Sequence, residues 1–126
     1  MTIFAYLLCI MLVERKEFTE NDGSVGYIEC VYKSDNILKT TYFPGIQRLY
    51  IAFSRGHTYS YGNVSPEFYE EFENADSQGV FFHKKINNNK AHPYRKEFTL
   101  YPAEVVDLKQ IVTEHEKDGE ETEDDE

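Results

Sequence analysis

The chain predicts an α+β fold: a small antiparallel β-sheet, built as a meander of hairpins, with two short helices packed on it and a C-terminal helix. Three observations carry this. The 126 residues include ten Tyr and nine Phe but no Trp, and such rings favour half-buried strand surfaces. Between residues 26 and 61 apolar residues alternate in short runs separated by turn signals, the pattern of consecutive strands. From residue 65 onward the apolar spacing changes to that of helices. The length is that of a single domain with one core. Its organisation reads as an N-terminal extension over 1–24, an α+β domain over 25–103, a helix over 104–117 and a disordered acidic tail over 118–126.

Each element has its own signal. The run MTIFAYLLCIMLV is nearly all apolar but is stopped by Glu14, Arg15 and Lys16, well short of the roughly 20 residues a membrane span needs. It lacks the basic start and small-residue cleavage site of a signal peptide. It reads as a buried strand, or as an upstream extension if Met11 is the working start. Asn21-Asp22-Gly23 is a turn. Gly26–Lys33 alternates as a strand, Ser34-Asp35-Asn36 turns, and Ile37–Phe43 is a second strand ending at Pro44-Gly45. Arg48–Ser54 and His57–Tyr61 form a hairpin about Arg55-Gly56. Ser65-Pro66 starts a helix, with the Ser hydroxyl free to cap and proline at the first position. Phe68, Tyr69, Phe72 and Ala75 give that helix an apolar stripe. A second short helix opens at Ser77 or Gln78 and is broken by Asn87-Asn88-Asn89. Glu97–Tyr101 reads as one more strand. Val105, Val106, Leu108, Ile111 and Val112 define the closing amphipathic helix. The last residues, from Asp118, contain nothing apolar and cannot offset the entropy of ordering.

The formal net charge of −10 is unevenly placed. Residues 25–103 are nearly neutral, and almost all the excess negative charge lies beyond residue 103. Within the domain, no acidic residue occurs between Asp76 and Glu97. Cys9 and Cys30 have no metal-ligand or redox spacing, so a reduced, cytoplasmic chain is the default.

The ordered pieces from Tyr32 to Tyr94 carry a family resemblance. They are Ser34-Asp35-Asn36-Ile37, Tyr42, the strand Leu49–Phe53, Gly56, Tyr59-Ser60-Tyr61, Val64-Ser65-Pro66-Glu67-Phe68-Tyr69, Ala75-Asp76-Ser77-Gln78-Gly79, Phe82, Ile86 and His92-Pro93-Tyr94-Arg95. Over about residues 32–95 the chain resembles the KTSC domain, a short module found alone in bacterial and phage proteins and at the end of some lysyl-tRNA synthetases. Gly62-Asn63-Val64-Ser65-Pro66 departs from the family pattern by one inserted residue. The resemblance implies a compact fold without catalysis, with RNA binding as the usual suggestion for the family.

The acid-free interval is the sharpest ligand signal. It holds Lys84, Lys85, Lys90, His92, Tyr94, Arg95 and Lys96, with phenylalanines interleaved; cations neutralise phosphates and aromatic faces stack bases. Tyr59 and Tyr61 lie two apart on a strand and so share a face, either as a stacking platform or as sheet packing. Arg48, Arg55 and His57 flank the hairpin and extend a positive rim. The competing reading of the interval is a solvated basic surface over core phenylalanines. The four histidines have no regular ligand spacing, so no metal is expected. No nucleophile–base pair or glycine-rich phosphate loop is present, so no catalytic residue and no cofactor are expected. Two function classes follow. One is a non-catalytic module binding RNA or other nucleic acid through the Lys84–Lys96 segment. The alternative is a small acidic, phage-type accessory protein acting on a bacterial host protein such as RNA polymerase. Neither calls for a membrane or a small-molecule cofactor.

Overall fold

The computed structural model describes Leu12–Asp124, with side chains through Glu116; the apolar run before Leu12 lies outside the described residues. Six strands form one antiparallel sheet: β1 (Leu12–Thr19), β2 (Val25–Tyr32), β3 (Ile37–Phe43), β4 (Arg48–Phe53), β5 (His57–Tyr61) and β6 (Tyr94–Thr99). Their order in the sheet is their order in the chain, the meander that the alternation predicts. Helix α1 (Pro66–Glu73) and helix α2 (Gln78–Phe81), which widens into a π-helical turn over Phe82–Ile86, lie between β5 and β6. Helix α3 (Pro102–Asp124) closes the chain.

The turns are made by the residues that mark them in the sequence. At the β1–β2 turn the Asp22 carboxylate accepts from the Ser24 amide at 2.9 Å and from its hydroxyl at 2.6 Å, while Gly23 takes φ +90°. Ser34 Oγ accepts from the amides of Asn36 and Ile37, both at 3.3 Å, between β2 and β3. Gly56, at φ +95°, turns β4 into β5, and its amide donates to the Phe53 carbonyl at 2.7 Å. A side chain there would meet Val105 Cγ2 at 3.1 Å and the Leu100 carbonyl oxygen at 3.3 Å, so this turn requires glycine for both conformation and space.

One face of the sheet carries the core. Ile28 and Cys30 of β2 stand opposite Tyr42 and Thr40 of β3. Leu49 and Ile51 of β4 stand opposite Tyr61 and Tyr59 of β5. Helix α1 covers this face with Tyr69 and Phe72, both buried. The Tyr69 ring stacks on Tyr42 at 4.3 Å between centroids and 6° between planes, and Phe72 meets Tyr32 edge-on at 5.9 Å. The Tyr42 hydroxyl donates to the Val64 carbonyl at 2.6 Å. Ser65 caps α1 by accepting from the Phe68 amide at 3.1 Å. Buried Gln78 secures the other end of α1: its Nε2 donates to the carbonyls of Phe72 and Ala75 at 3.3 and 3.1 Å.

Three boundaries differ from the sequence expectation. Residues 12–24 are not an extension but a hairpin arm, with β1 paired to β2 along its length. Its charges hid the strand: on an edge strand both faces reach water, and Arg15 stretches over the core face to Glu73 of α1 at 2.9 Å. Strand β6 begins at Tyr94 rather than Glu97, because its first residues pair with Tyr61 and Ser60. Helix α3 starts at Pro102 and runs on to Asp124 rather than ending at 117, so the segment from 118 to 124 is helical and not an unordered tail. Adding a residue to a formed helix costs far less than starting one, and this outweighs the composition rule. Helix α3 packs on β1, β2 and β3 and is tied down by a 2.7 Å ion pair between Lys33 and Glu116.

Candidate functional site: an acid-free groove beside the last strand

Strand β6 and the loop from Asn87 to Pro93 wall a groove of about 760 Å³ on the core side of β5. Of the sequence-predicted residues, Tyr59, Tyr61, Lys90, His92 and Tyr94 line it. Strand pairing explains the convergence. Tyr61 stands opposite Tyr94, and Tyr59 opposite Lys96, so these four side chains project from one face of two adjacent strands. Tyr61 is a floor residue, 6% exposed. Tyr59 is half-buried, and its ring lies 5.9 Å from that of Tyr94 at an interplanar angle of 52°. Tyr94 itself is 69% exposed, so most of its ring faces water.

His92 is fixed in place. Its Nδ1 lies 3.1 Å from the Gly62 carbonyl oxygen, which can only accept, so the proton of that contact sits on Nδ1. Its ring stacks on Phe68 at 4.6 Å. No carboxylate lines the groove among the described residues.

The other predicted residues are dispersed. Lys84 is exposed on the π-helical turn. Lys85 turns towards α1, 3.8 Å from Glu71 and 5.2 Å above the Phe81 ring. Arg95 alternates with Tyr94 and Lys96 and therefore leaves by the opposite face, where it pairs with Glu97 at 2.8 Å. Arg48 also lies on that opposite face and donates to Ser60 Oγ at 2.8 Å. Arg55 is exposed at the β4–β5 turn, and His57 sits 3.3 Å from Thr99 Oγ1, at the far end of β5 from Tyr61. The expected rim of Arg48, Arg55 and His57 therefore does not border the groove. Periodicity of two separates neighbours in sequence, and a basic run on a strand cannot form one patch.

Two features escape the sequence reading. The Asn87–Asn89 run lines the groove beside His83, although asparagines in a row read only as a helix breaker. On the far face of the sheet, Phe18, Tyr27, Phe43 and Tyr50 form a continuous row across four strands, with successive centroids 5.2, 5.8 and 5.5 Å apart. Those residues are scattered over the first half of the chain, and only the strand register brings them together.

Buried titratable groups belong to the core. Burial pushes the Cys30 thiol up to about 11 against the hydrogen bond from Tyr69, with the Glu73 carboxylate adding repulsion. Burial likewise raises Tyr32, Tyr61 and Tyr69, and pushes Tyr42 up to about 12. These groups stay neutral at ordinary pH. No described helix is long and apolar enough to cross a membrane.

The fold and groove define a small α+β meander domain with a two-helix insertion before its last strand. Residues 33–89 match the model of the KTSC domain, and this part of the chain is a KTSC domain. Among solved structures, a KTSC domain protein from Yersinia pestis is 25% identical, with the match covering 68% of this chain and 100% of that one at a TM-score of 0.49. No curated protein matches the chain.

Proposed function

We propose that this protein binds single-stranded nucleic acid, RNA in particular, in the groove beside β6. The observation that carries the reading is the exposed Tyr94 ring, inclined to Tyr59 at 5.9 Å, in a groove that also presents Lys90 and His92 and no carboxylate among the described residues. Every base has a face to stack, so an aromatic pair flanked by cations accepts unpaired bases with little sequence preference. Lys96, opposite Tyr59 in the ladder, stands where the phosphate chain would pass. A duplex offers no free base faces and is disfavoured.

Fluorescence anisotropy with a labelled single-stranded oligoribonucleotide tests this. Binding is expected at low salt, weakening linearly in log–log form as salt rises. Tyr94→Ala removes one stacking surface, worth about 1–3 kcal/mol, and so weakens binding about five-fold or more. Deleting residues 118–126, which are strongly acidic, strengthens it. No binding by the shortened chain at low salt, or unchanged affinity in the Tyr94→Ala variant, overturns the reading.

A further inference from the structure

The far face of the sheet, turned away from α1, holds an apolar hollow of about 200 Å³. Buried Ala52 and Thr58 lie in its wall with half-buried Thr41 and Tyr50. The strand register sets them side by side, Thr41 opposite Tyr50 and Ala52 opposite Thr58. Phe98 lines the same hollow and is 57% exposed. We propose that this face is the contact between two copies of the chain, each seating its Phe98 ring in the hollow of the other.

A bulge aims that ring. Tyr94 and Lys96 stand opposite Tyr61 and Tyr59 on the core side, and simple alternation would send Phe98 there too. The register between β5 and β6 shifts between Lys96 and Thr99, as an extra residue does when it re-aims a side chain. Glu97, which accepts from Ser60 Oγ at 2.6 Å, and Phe98 therefore share the far face. The result is a knob beside a hole. A two-fold contact requires both on one surface, because each copy must offer what it receives. An apolar cavity of about 150 Å³ accepts benzene, so the hollow has room for one phenyl ring.

The charges around the hollow favour a second copy over a nucleic acid. Lys39 lies 3.2 Å from Glu29, and Arg95 lies 2.8 Å from Glu97. Arg48 donates to Ser60 Oγ, which donates to the same Glu97 carboxylate. With these cations and acids compensated inside the chain, the face neither attracts phosphate nor repels its own like. The row of Phe18, Tyr27, Phe43 and Tyr50 carries the apolar surface from the hollow to β1. Six strands about 4.8 Å apart and some five residues long offer about 500 Å², below the roughly 800 Å² per partner of a standard interface. The dimer is therefore a weak one, dissociating on the order of 100 µM. The groove beside β6 opens on the other side of the sheet and stays free, so this inference stands apart from the nucleic-acid reading.

The test is sedimentation equilibrium of the full chain from about 10 µM to about 1 mM. The weight-average mass is expected to climb from 14.8 kDa towards twice that value. It should climb further in high salt, because two chains of net charge −10 repel and salt screens them; nucleic-acid binding moves the opposite way. Phe98→Glu removes the knob, and Thr41→Phe fills the hole from within its own chain. Each is expected to weaken association at least about ten-fold. Thr41→Phe adds apolar area to the face, so mere stickiness would strengthen association in that variant, and that result overturns the proposal. Isotope-filtered NMR on an equal mixture of labelled and unlabelled chain should show contacts from the Phe98 ring to the Ala52 and Thr58 methyls of the other copy. A mass of 14.8 kDa throughout, or association indifferent to both variants, overturns the proposal. Contacts to Phe98 from residues 1–11 of the same chain assign the hollow to that apolar run instead and overturn it as well.

Discussion

At the level of single residues, exposure separates structure from recognition. Phe72 is fully buried between Tyr32 and Phe81, so Phe72→Ala costs about 3–5 kcal/mol through lost burial and a residual cavity. Tyr94→Ala changes stability by no more than about 0.5 kcal/mol. Chemical denaturation of the two variants checks the contrast, and a large loss in Tyr94→Ala would mean that the ring is a packing residue after all. Cys30, neutral and enclosed, should resist alkylation in the native protein at pH 8 and react fully in denaturant, as thiol titration would read directly. At this scale the sequence was only partly legible. The tyrosine pair sharing a face followed from strand period alone. The scatter of Lys85 and Arg95 did not, since it depends on the start of β6 at Tyr94 and on a π-helical turn, neither of which composition specifies.

Among the elements, α1 was readable in full because its signals are chemical and local. Ser65 supplies the cap, Pro66 the first residue, and Phe68, Tyr69 and Phe72 the apolar stripe. Ser65→Ala should therefore cost about 1 kcal/mol, seen as a lower denaturation midpoint at unchanged slope. Helix α3 is a stronger case of dependence on tertiary contact. Val105, Leu108, Ile111 and Val112 are each half-buried, at roughly 1 kcal/mol apiece. Deleting residues 104–126 should lower stability by about 4 kcal/mol; a melting temperature unchanged by the deletion would show that the helix does not brace the sheet. Strand β1 was illegible because its unbroken run of charges, Glu14 to Glu17, resembles a solvated linker, and only the pairing partner distinguishes the two.

For the molecule as a whole, the aromatic core sets a limit at high pH. The unfolded thiol ionises near 9.0 and unfolded tyrosines near 10.0, whereas Cys30 and the four buried tyrosines are raised by burial in the fold. The unfolded state thus releases protons first. Stability is complete below pH 9 and declines as pH rises from 9 through 11. Melting temperatures at pH 8, 9.5 and 10.5 should fall in that order, and a flat series would contradict the burial of these hydroxyls.

The strand order has a kinetic consequence. Each of the first four pairings is closed by a short turn, whereas β6 reaches β5 only after both short helices have been laid down. Closing that longer loop carries the larger entropy, and β6 is exposed at nearly every position, so little holds it once paired. The wall of the groove is the part of the sheet that forms last and opens first. In native-state hydrogen exchange the amides of residues 94–99 should exchange well ahead of those in β2 to β4, and an occupied groove should slow them selectively. Ligand capture would then register as the completion of folding.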